Sequence, residues 1–264
     1  MATASPNLAV MISAARKAAR RLVRDFGEVE NLQVSRKGAG DFVSAADRMS
    51  EKTIREELSR ARPAYGWVGE ESGEETGRDG MHRWIVDPLD GTTNFLHGLP
   101  HWAVSIALER KGEIVAGVVY DPAKDEMFVA EKGGGAWMND RRLRVSARRD
   151  MSEMVFATGV PFMGSPHLPR TLKELAKLMP RCAGLRRFGA AALDLAYVAA
   201  GRYDGYWERG VRNWDIAAGV LIVREAGGIV RDTDEDGADP LATGRVMAAN
   251  AEAAEAFQSL LRAA

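Results

Sequence analysis

The chain contains one cysteine, Cys182, among 264 residues, so no disulfide can form within it. A lone thiol suits a reducing compartment, and we expect a cytoplasmic protein. No apolar run approaches the ~20 residues of a membrane span, and no signal peptide is recognisable at the N-terminus. The formal net charge is −1, which gives no overall attraction for nucleic acid or an anionic membrane. We therefore expect neither as a partner.

Histidine is scarce, and the four histidines do not predict a zinc site. His97 and His101 have the spacing of a helical metal-binding pair, but a glycine and a proline between them interrupt the helix. Residues 232–237 begin like a calcium loop, yet the twelfth position is Thr243 instead of glutamate. Residues 133–135 are three glycines without the ending of a nucleotide-binding loop. The last two segments are interpreted as turns.

Hydrophobic periodicity predicts a strand-rich first half and an α/β second half. In the first half it predicts helices over 8–26 and 44–60, a hairpin over 34–43, and strands at 84–87, 103–109, 114–120 and 126–131. In the second half it predicts strands at 155–158, 203–208, 229–231 and 246–249, and helices over 170–179, 190–200 and 213–226 and from about 251. We expect an α/β fold of stacked layers, with halves 1–150 and 151–264 forming one compact unit.

The most informative segment, residues 84–95, reads Trp-Ile-Val-Asp-Pro-Leu-Asp-Gly-Thr-Thr-Asn-Phe. A short apolar strand is predicted to stop at two carboxylates, Asp87 and Asp90, separated by a proline that restricts the backbone. Gly91 permits a conformation closed to other residues, and one of the two threonines can cap the next helix. Two acids beside free backbone N–H groups suit cations together with a phosphate.

Two other acids also lie at predicted element ends. Glu70 follows a short apolar strand, and Asp215 falls in the first turn of a helix with Asn213 as its N-cap. Taken singly, each is typical of a turn or a cap. If all four acids meet in space, however, they repel one another unless cations neutralise them. Oxygen-only ligands select hard cations such as Mg²⁺.

Together these segments resemble the inositol monophosphatase family of Mg²⁺-dependent, lithium-sensitive phosphatases. The resemblance runs from about residue 7 to the end of the chain. The matching segments are residues 37–47, 69–72, 87–95, 214–219 and 225–228. Departures are small, with Leu89 in place of a commoner isoleucine and Ser44 where threonine is frequent. The resemblance implies the layered αβαβα sandwich of the inositol monophosphatase / fructose-1,6-bisphosphatase fold, usually as a homodimer.

The resemblance also implies roles for individual residues. Two or three Mg²⁺ ions, with Mn²⁺ as an alternative, would be held by Glu70, Asp87, the Leu89 carbonyl, Asp90 and Asp215. The catalytic residues would be Glu70, Thr92, Asp47 and Asp90, with Glu70 and Thr92 orienting the attacking water and Asp47 supporting Thr92. The substrate would contact Asp90, Gly91, Thr92, Gly189, Ala191, Glu208 and Asp215. Lys37 would lie near the metal-site loop.

The implied reaction is hydrolysis of a small polyol or sugar phosphate monoester by a metal-activated water. Inositol 1-phosphate is the expected substrate, and histidinol phosphate, fructose 1,6-bisphosphate and 3′-phosphoadenosine 5′-phosphate are alternatives. Some relatives also serve transcription or ribosome assembly, and Arg186 and Arg187 resemble a pair that those members use near the dimer interface. Two solvated or subunit-bridging arginines remain the simpler interpretation. A glycosidase using Asp87 and Asp90 is disfavoured because no aromatic sugar platform surrounds them.

Overall fold

The structure is a computed structural model that describes residues 4–28, 34–38, 41–161 and 164–264. Among these residues, the first half contains three helices, α1 (Pro6–Phe26), α2 (Ala45–Ala61) and α3 (Thr92–Leu96). Its strands are β1 (Val34–Gly38), β2 (Asp41–Ser44), β3 (Gly66–Gly69), β4 (Gly73–Glu75), β5 (His82–Asp90), β6 (Ala103–Arg110), β7 (Glu113–Asp121), β8 (Glu126–Glu131), β9 (Gly135–Met138) and β10 (Arg141–Arg142). The predicted hairpin is confirmed as the antiparallel pair β1–β2, although Gly40 of its turn lies outside the described residues.

The second half alternates strands with helices. Its strands are β11 (Val155–Thr158), β12 (Gly184–Arg186), β13 (Gly205–Arg209), β14 (Ile229–Arg231) and β15 (Arg245–Ala249). Its helices are α4 (Leu168–Leu178), α5 (Ala191–Ala199), α6 (Asn213–Glu225), α7 (Pro240–Thr243) and α8 (Ala254–Arg262), with single 3-10 turns at Met151–Glu153 and Met179–Arg181. The short elements β4, β9, β10, β12 and α7 were not predicted, since two to four residues carry too little periodicity to identify.

Two larger sheets organise the chain. One has eight strands in the order β10-β9-β8-β7-β6-β5-β3-β4, antiparallel except for the parallel pair β3–β5. The other has five strands in the order β12-β11-β13-β15-β14, in which β11 is parallel to both of its neighbours. Because β3 and β5 are parallel, their carboxyl ends lie at the same edge of the large sheet, and the acids that follow these strands come together there.

The sheets and helices stack in five layers held by three apolar cores. Helices α1 and α2 cover one face of the eight-stranded sheet, with Met11, Ile54 and Trp84 completely buried between them. Helices α5 and α6 fill the space between the two sheets. Helices α4 and α8 cover the outer face of the small sheet around Phe156 and Phe257. The predicted αβαβα sandwich is thus confirmed.

Within the described ranges, no helix combines the length and apolar character needed to cross a bilayer. Helix α6 is buried along most of its length, from Ile216 to Val223, because it packs between two sheets. Its apolar character therefore reflects a central position in the sandwich.

Three local predictions need correction. Strand β5 does not stop at Asp87 but continues to Asp90, with an irregular register between the two acids. Helix α3 begins after Gly91 with no side-chain cap, because glycine holds the N-cap position and Thr92 is already the first helical residue. Helix α6 is capped at Arg212, so Asn213 is its first helical residue instead of its N-cap.

The three glycines at residues 133–135 form a turn, as predicted, and this turn stabilises the fold. The backbone N–H groups of Gly133 and Gly135 each donate to the Glu225 carboxylate, at 2.8 Å. Glu225 is the last residue of α6, so these bonds tie the end of the central helix to the β8–β9 turn. A carboxylate of the chain itself thus occupies the position that a ligand anion takes in a phosphate-binding loop.

Asn94 joins the two halves of the sandwich beside the acids. Its side-chain amide donates to the His101 carbonyl at 2.8 Å and to the Phe188 carbonyl at 2.7 Å. The side chain is almost fully buried, at 7% exposure. If it were removed, each of the two carbonyls would lose its hydrogen-bond partner in a place where water is scarce.

We expect Asn94→Ala to lower the free energy of unfolding by about 1–3 kcal/mol, because a nearly buried polar pair is left unsatisfied. Urea denaturation followed by circular dichroism measures the change. Asn7→Ala is a matched control, since Asn7 accepts one partly exposed hydrogen bond from Arg62 and should cost about 0.5 kcal/mol or less. Equal losses for the two variants would contradict this account of Asn94.

Candidate active site

The predicted acids line one cavity of about 720 Å³ at the edge of the large sheet. Glu70 directly follows β3, and its backbone N–H donates to the Val86 carbonyl of β5 at 3.3 Å. Asp87 is the next residue along β5, so Glu70 and Asp87 lie beside each other across the parallel pair. Every residue predicted to bind metal or substrate lines this cavity: Glu70, Asp87, Leu89, Asp90, Gly91, Thr92, Gly189, Ala191, Glu208 and Asp215.

Asp87 is the most buried of the four acids that line the cavity, with 2% of its surface exposed. Its Oδ1 accepts a hydrogen bond from the Leu89 N–H at 2.9 Å, which fixes the carboxylate against its own strand. Burial raises the pKa of Asp87 well above its ordinary value, and repulsion from Glu70, Asp90 and then Asp215 raises it further. The charged form is therefore costly unless a cation is present.

Asp90 and Asp215 each accept a hydrogen bond from a backbone N–H, which comes from the second half of the chain for Asp90 and from the N-cap of its own helix for Asp215. Asp90 Oδ2 accepts from the Ala192 N–H at 2.8 Å, at the start of α5. Asp215 Oδ2 accepts from the Arg212 N–H at 2.7 Å, in the first turn of α6. Burial raises the pKa of Asp90 to about 7, even though the Ala192 bond lowers it. Burial likewise raises the pKa of Asp215 well above its ordinary value.

Gly91 is required by both its backbone and its surroundings. Its φ is +87°, a left-handed conformation that other residues rarely adopt. A Cβ at this position would also lie 3.0 Å from the His101 carbonyl oxygen and 3.3 Å from the Ala190 Cβ. The chain can therefore turn directly from Asp90 into α3, which places the first residues of that helix at the cavity.

The Thr92 hydroxyl connects the cavity to α2. Its oxygen lies 3.1 Å from Asp47 Oδ2 and 2.9 Å from the Leu89 carbonyl oxygen. A hydroxyl has a single proton, so it donates to only one of these acceptors at a time and keeps lone pairs for a third group. Asp47 itself is buried, with 1% exposure.

Asp47 also belongs to a second acidic group, with Glu70 and Glu71. Each of the three offers an oxygen, and these oxygens lie within 4.8 Å of one another. The sequence did not assign a role to Glu71, which follows Glu70 directly and has no motif of its own. Its backbone N–H donates to Glu51 Oε2 at 2.8 Å, which anchors the loop to α2.

The opposite wall of the cavity comes from the second half of the chain. Glu208, on β13, accepts a hydrogen bond from the Tyr206 hydroxyl at 2.7 Å. Burial raises the pKa of Glu208, while the Tyr206 bond and the charge of Arg187 lower it. A Cβ on Gly159 would lie within 2.2 Å of three atoms of the Glu208 carboxylate, so only glycine leaves room for that side chain.

The two arginines that the sequence singled out lie in different surroundings. Arg187 lines the cavity and donates to the Val160 carbonyl at 3.3 Å. Arg186 is exposed, does not line the cavity, and donates to the carbonyl of its neighbour Leu185 at 2.9 Å. The two residues therefore have separate environments.

The donor set fits a hard divalent cation. The candidate ligands are carboxylate oxygens and one carbonyl oxygen, and hard cations prefer such donors. Burial combined with mutual repulsion raises the pKa values of Asp87 and Asp215. A divalent cation would remove this repulsion, whereas soft metals would find no sulfur among the described residues that line the cavity.

Comparison with known proteins agrees with this geometry. The model of the inositol monophosphatase family matches residues 4–264. The chain belongs to this family. A Rhizobium meliloti (strain 1021) protein named inositol-1-monophosphatase is 57% identical over 255 residues, 97% of this chain and 96% of that protein. An Escherichia coli (strain K12) protein named Nus factor SuhB is 44% identical over 257 residues, 97% of this chain and 96% of that protein.

A solved structure of a relative has the same fold. The crystal structure of the extragenic suppressor protein suhB from Bartonella henselae superposes with a TM-score of 0.93 at 57% identity, covering 96% of this chain and 97% of that one. As a member of the inositol monophosphatase family, the chain is a phosphatase that hydrolyses phosphate monoesters, which confirms the predicted enzyme class.

The raised pKa values predict that metal binding depends on pH. Folding raises the pKa of Asp87, Asp90 and Asp215. Without metal, their ionised forms therefore lower the free energy of unfolding at pH values above the folded pKa, and this loss of stability disappears as pH falls. For Asp90 this loss of stability is complete above about pH 7 and disappears progressively as pH falls from there toward the ordinary pKa of 3.8. A divalent cation needs the ionised forms, and protons therefore compete with it.

We expect Mg²⁺ at about 100 times its dissociation constant to raise the melting temperature by roughly 5–10 °C at pH 8.5. At the same concentration and pH 6 the increase should be smaller, since protons compete for the carboxylates. Differential scanning fluorimetry measures both values. Asp87→Asn should abolish the increase, and Glu56→Gln, an equivalent change at an exposed acid of α2, should preserve it. An increase that grows as pH falls would rule out this site.

Proposed function

We propose that this phosphatase hydrolyses a small polyol phosphate monoester, with inositol 1-phosphate as the preferred substrate and Mg²⁺ as the cofactor. The observation that supports the cofactor is the convergence of Glu70, Asp87, Asp90 and Asp215 on one cavity with strong mutual repulsion. The observation that supports the substrate is the close relative named inositol-1-monophosphatase.

The acidic residues would hold the cofactor. We assign Glu70, Asp87, the Leu89 carbonyl, Asp90 and Asp215 as its ligands, with Asp47 and Glu71 beside Glu70 as a further acidic group. When bound, divalent cations neutralise phosphoryl oxygens and acidify water. Unaided hydrolysis of phosphate monoesters is so slow that the enzyme must lower the activation free energy by ~23 kcal/mol or more.

Thr92 and Glu70 would orient the attacking water. If the Leu89 carbonyl is taken by a cation, the Thr92 proton is directed to Asp47 Oδ2, which lies 3.1 Å away. The Thr92 oxygen then has only lone pairs to offer, so it would accept a hydrogen bond from the water and turn the water's own lone pair toward phosphorus. Asp47 acts in this scheme by fixing the direction of the Thr92 hydroxyl.

The opposite wall would bind the polyol. Glu208 is a hydrogen-bond acceptor held in place by Tyr206, and its carboxylate suits the hydroxyls of a ring substrate. Gly189 and Ala191 leave space beside it, since neither carries a long side chain. Asp90 connects the acidic wall of the cavity with the opposite wall, because it belongs to β5 and its carboxylate accepts a hydrogen bond from a backbone N–H of α5.

Several assignments stay predictions. They include the homodimer, the cytoplasmic location, lithium sensitivity and the boundary near residue 150. The role of Lys37 also stays a prediction, because its side chain lies outside the described residues. A transcription-related partner is a further proposal, supported by the relative named Nus factor SuhB.

The function is tested by phosphate release from inositol 1-phosphate with and without Mg²⁺. We expect turnover only with Mg²⁺, and at least a hundredfold loss of kcat in Asp87→Asn at saturating Mg²⁺. Glu56→Gln should retain the wild-type rate. Histidinol phosphate, fructose 1,6-bisphosphate and 3′-phosphoadenosine 5′-phosphate complete the panel, and a higher kcat/KM for any of them would replace inositol 1-phosphate as the preferred substrate. Near-normal kinetics in Asp87→Asn would refute the proposed metal site.

Thr92→Ala should lower kcat by about a hundredfold and change KM much less, since Thr92 positions the nucleophile. Thr92→Ser retains the hydroxyl and should restore most of the rate. Steady-state kinetics on the two variants separate the hydroxyl from the methyl group. A change confined to KM, or no recovery with serine, would show that the Thr92 hydroxyl does not orient the water.

A further inference from the structure

Glu208 is the acid assigned to the polyol, and its side chain is long and flexible. A glutamate loses considerable rotamer freedom when its side chain is held in one conformation. If that freedom were lost only when a ligand binds, the loss would weaken the affinity. A carboxylate that is already fixed in the free protein avoids this cost. The contacts that Glu208 makes with the chain therefore bear on what the cavity can bind.

Strand β13 places Tyr206 and Glu208 on the same face of the small sheet, because side chains two residues apart along a strand point to the same side. Tyr206 packs in the core between the two sheets, whereas Trp207 packs in the core on the outer face. The Tyr206 hydroxyl donates to Glu208 Oε2 at 2.7 Å. Among the described residues, this is the one hydrogen bond of that hydroxyl.

Tyr206 is a donor in a fixed position. Its side chain is completely buried and does not line the cavity, so a ligand in the cavity does not touch it. Burial raises the pKa of Tyr206 well above its ordinary value, and the charge of Glu208 raises it further, so the hydroxyl keeps its proton. Because a close-packed core holds the ring, the hydroxyl cannot turn away from the carboxylate.

The backbone of Gly159 holds the other side of the carboxylate. Strands β11 and β13 are parallel neighbours, and the Thr158 hydroxyl fixes them together by donating to the Trp207 carbonyl at 2.7 Å. Gly159 follows β11 directly, and a Cβ there would overlap the Glu208 carboxylate. Burial raises the pKa of Glu208, whereas the hydrogen bonds from Tyr206 and from the Gly159 N–H lower it. These two contacts therefore favour the ionised form.

A fixed, ionised carboxylate selects hydroxyl donors. It has about four positions that accept hydrogen bonds and none that donates. Tyr206 occupies one of these positions, and Glu208 lines the cavity, so other positions remain for the hydroxyls of a polyol. A site that is built to bond a substrate hydroxyl rejects an analogue without it, because the polar group of the protein is then left unpaired.

We propose that Tyr206 and Gly159 are positioning residues that determine selectivity for polyol phosphates, because together they hold the Glu208 carboxylate where it accepts hydrogen bonds from polyol hydroxyls. Neither residue acts on the phosphate, and Tyr206 acts only through Glu208. The proposal rests on the proposed function and deepens it, since it names the groups that make the polyol wall selective.

The first test is Tyr206→Phe, which removes one hydroxyl and leaves the ring in the core. At saturating Mg²⁺ we expect KM for inositol 1-phosphate to rise about fivefold to tenfold and kcat to change less than about twofold, since the polyol is bound in the ground state and the transition state alike. The inhibition constant of inorganic phosphate should change less than about twofold, because phosphate alone has no polyol hydroxyl for Glu208. Initial rates of inositol release give all three constants.

Tyr203→Phe is the matched control. Tyr203 is also buried, at 5% exposure, and does not line the cavity. Its hydroxyl has no hydrogen-bond partner among the residues that the structure describes. The same change at this position should leave KM at the wild-type value. An equal rise in KM for the two variants would show a general effect of losing a buried hydroxyl and would refute the role of Tyr206.

Double variants separate positioning from a general loss of structure. Glu208→Ala should itself raise KM, and the addition of Tyr206→Phe should raise it no further, because the two residues act as one unit. Gly159→Ala provides a test that does not depend on Tyr206, since its Cβ displaces the carboxylate. It should raise KM in the wild type and should have no effect on KM in the Glu208→Ala background.

The outcomes distinguish this proposal from the proposed function. If the wild type hydrolyses inositol 1-phosphate but Tyr206→Phe or Gly159→Ala leaves KM unchanged, the role of that residue is refuted and the proposed function stands. Effects on KM that multiply in the double variants would likewise refute action through Glu208. Absence of turnover by the wild type would overturn both.

Discussion

Repulsion between buried carboxylates is the constraint on which this structure depends. Asp87 and Asp90 belong to β5 and Asp215 to α6, and each accepts a hydrogen bond from a backbone N–H. Those bonds fix where each carboxylate lies, but they do not cancel the cost of burial, which remains the largest influence on all three pKa values. The apolar cores on both faces of the large sheet must supply the stability that this arrangement consumes.

Topology brings the acids together. The parallel pairing of β3 with β5 sets Glu70 beside Asp87 at one edge of the sheet. Helix α2 supports the same edge, since the Ser50 hydroxyl donates to the Pro88 carbonyl at 2.9 Å and Glu51 holds the loop after β3. The second half of the chain then closes the cavity with Glu208 and the start of α6. Neither half contains the whole site.

Much of this arrangement could be predicted from the sequence, for identifiable reasons. Long periodic segments such as α1 and α6 have strong patterns, and an apolar strand followed by acids predicts Glu70 and Asp87. Gly189 and Ala191 carry no chemistry that a pattern detects, and only the family resemblance indicated them. Caps, short strands and the acidic group around Glu71 depend on contacts between distant segments, which periodicity does not report. The position of Arg187 in the cavity also depends on such contacts and could not be predicted from the sequence.

The burial of α6 links the packing between the two sheets to the geometry of the acidic cavity. Asp215 sits on the first turn of a helix whose residues from Ile216 to Val223 are packed between two sheets. A shift of one sheet relative to the other would move this helix, and with it the position of Asp215 relative to Asp87 and Asp90. Interior substitutions far from the chemistry, such as enlargement of Gly219 against Leu195, are thereby coupled to cation affinity. Loosening of the sandwich interior would therefore also weaken the proposed binding of divalent cations.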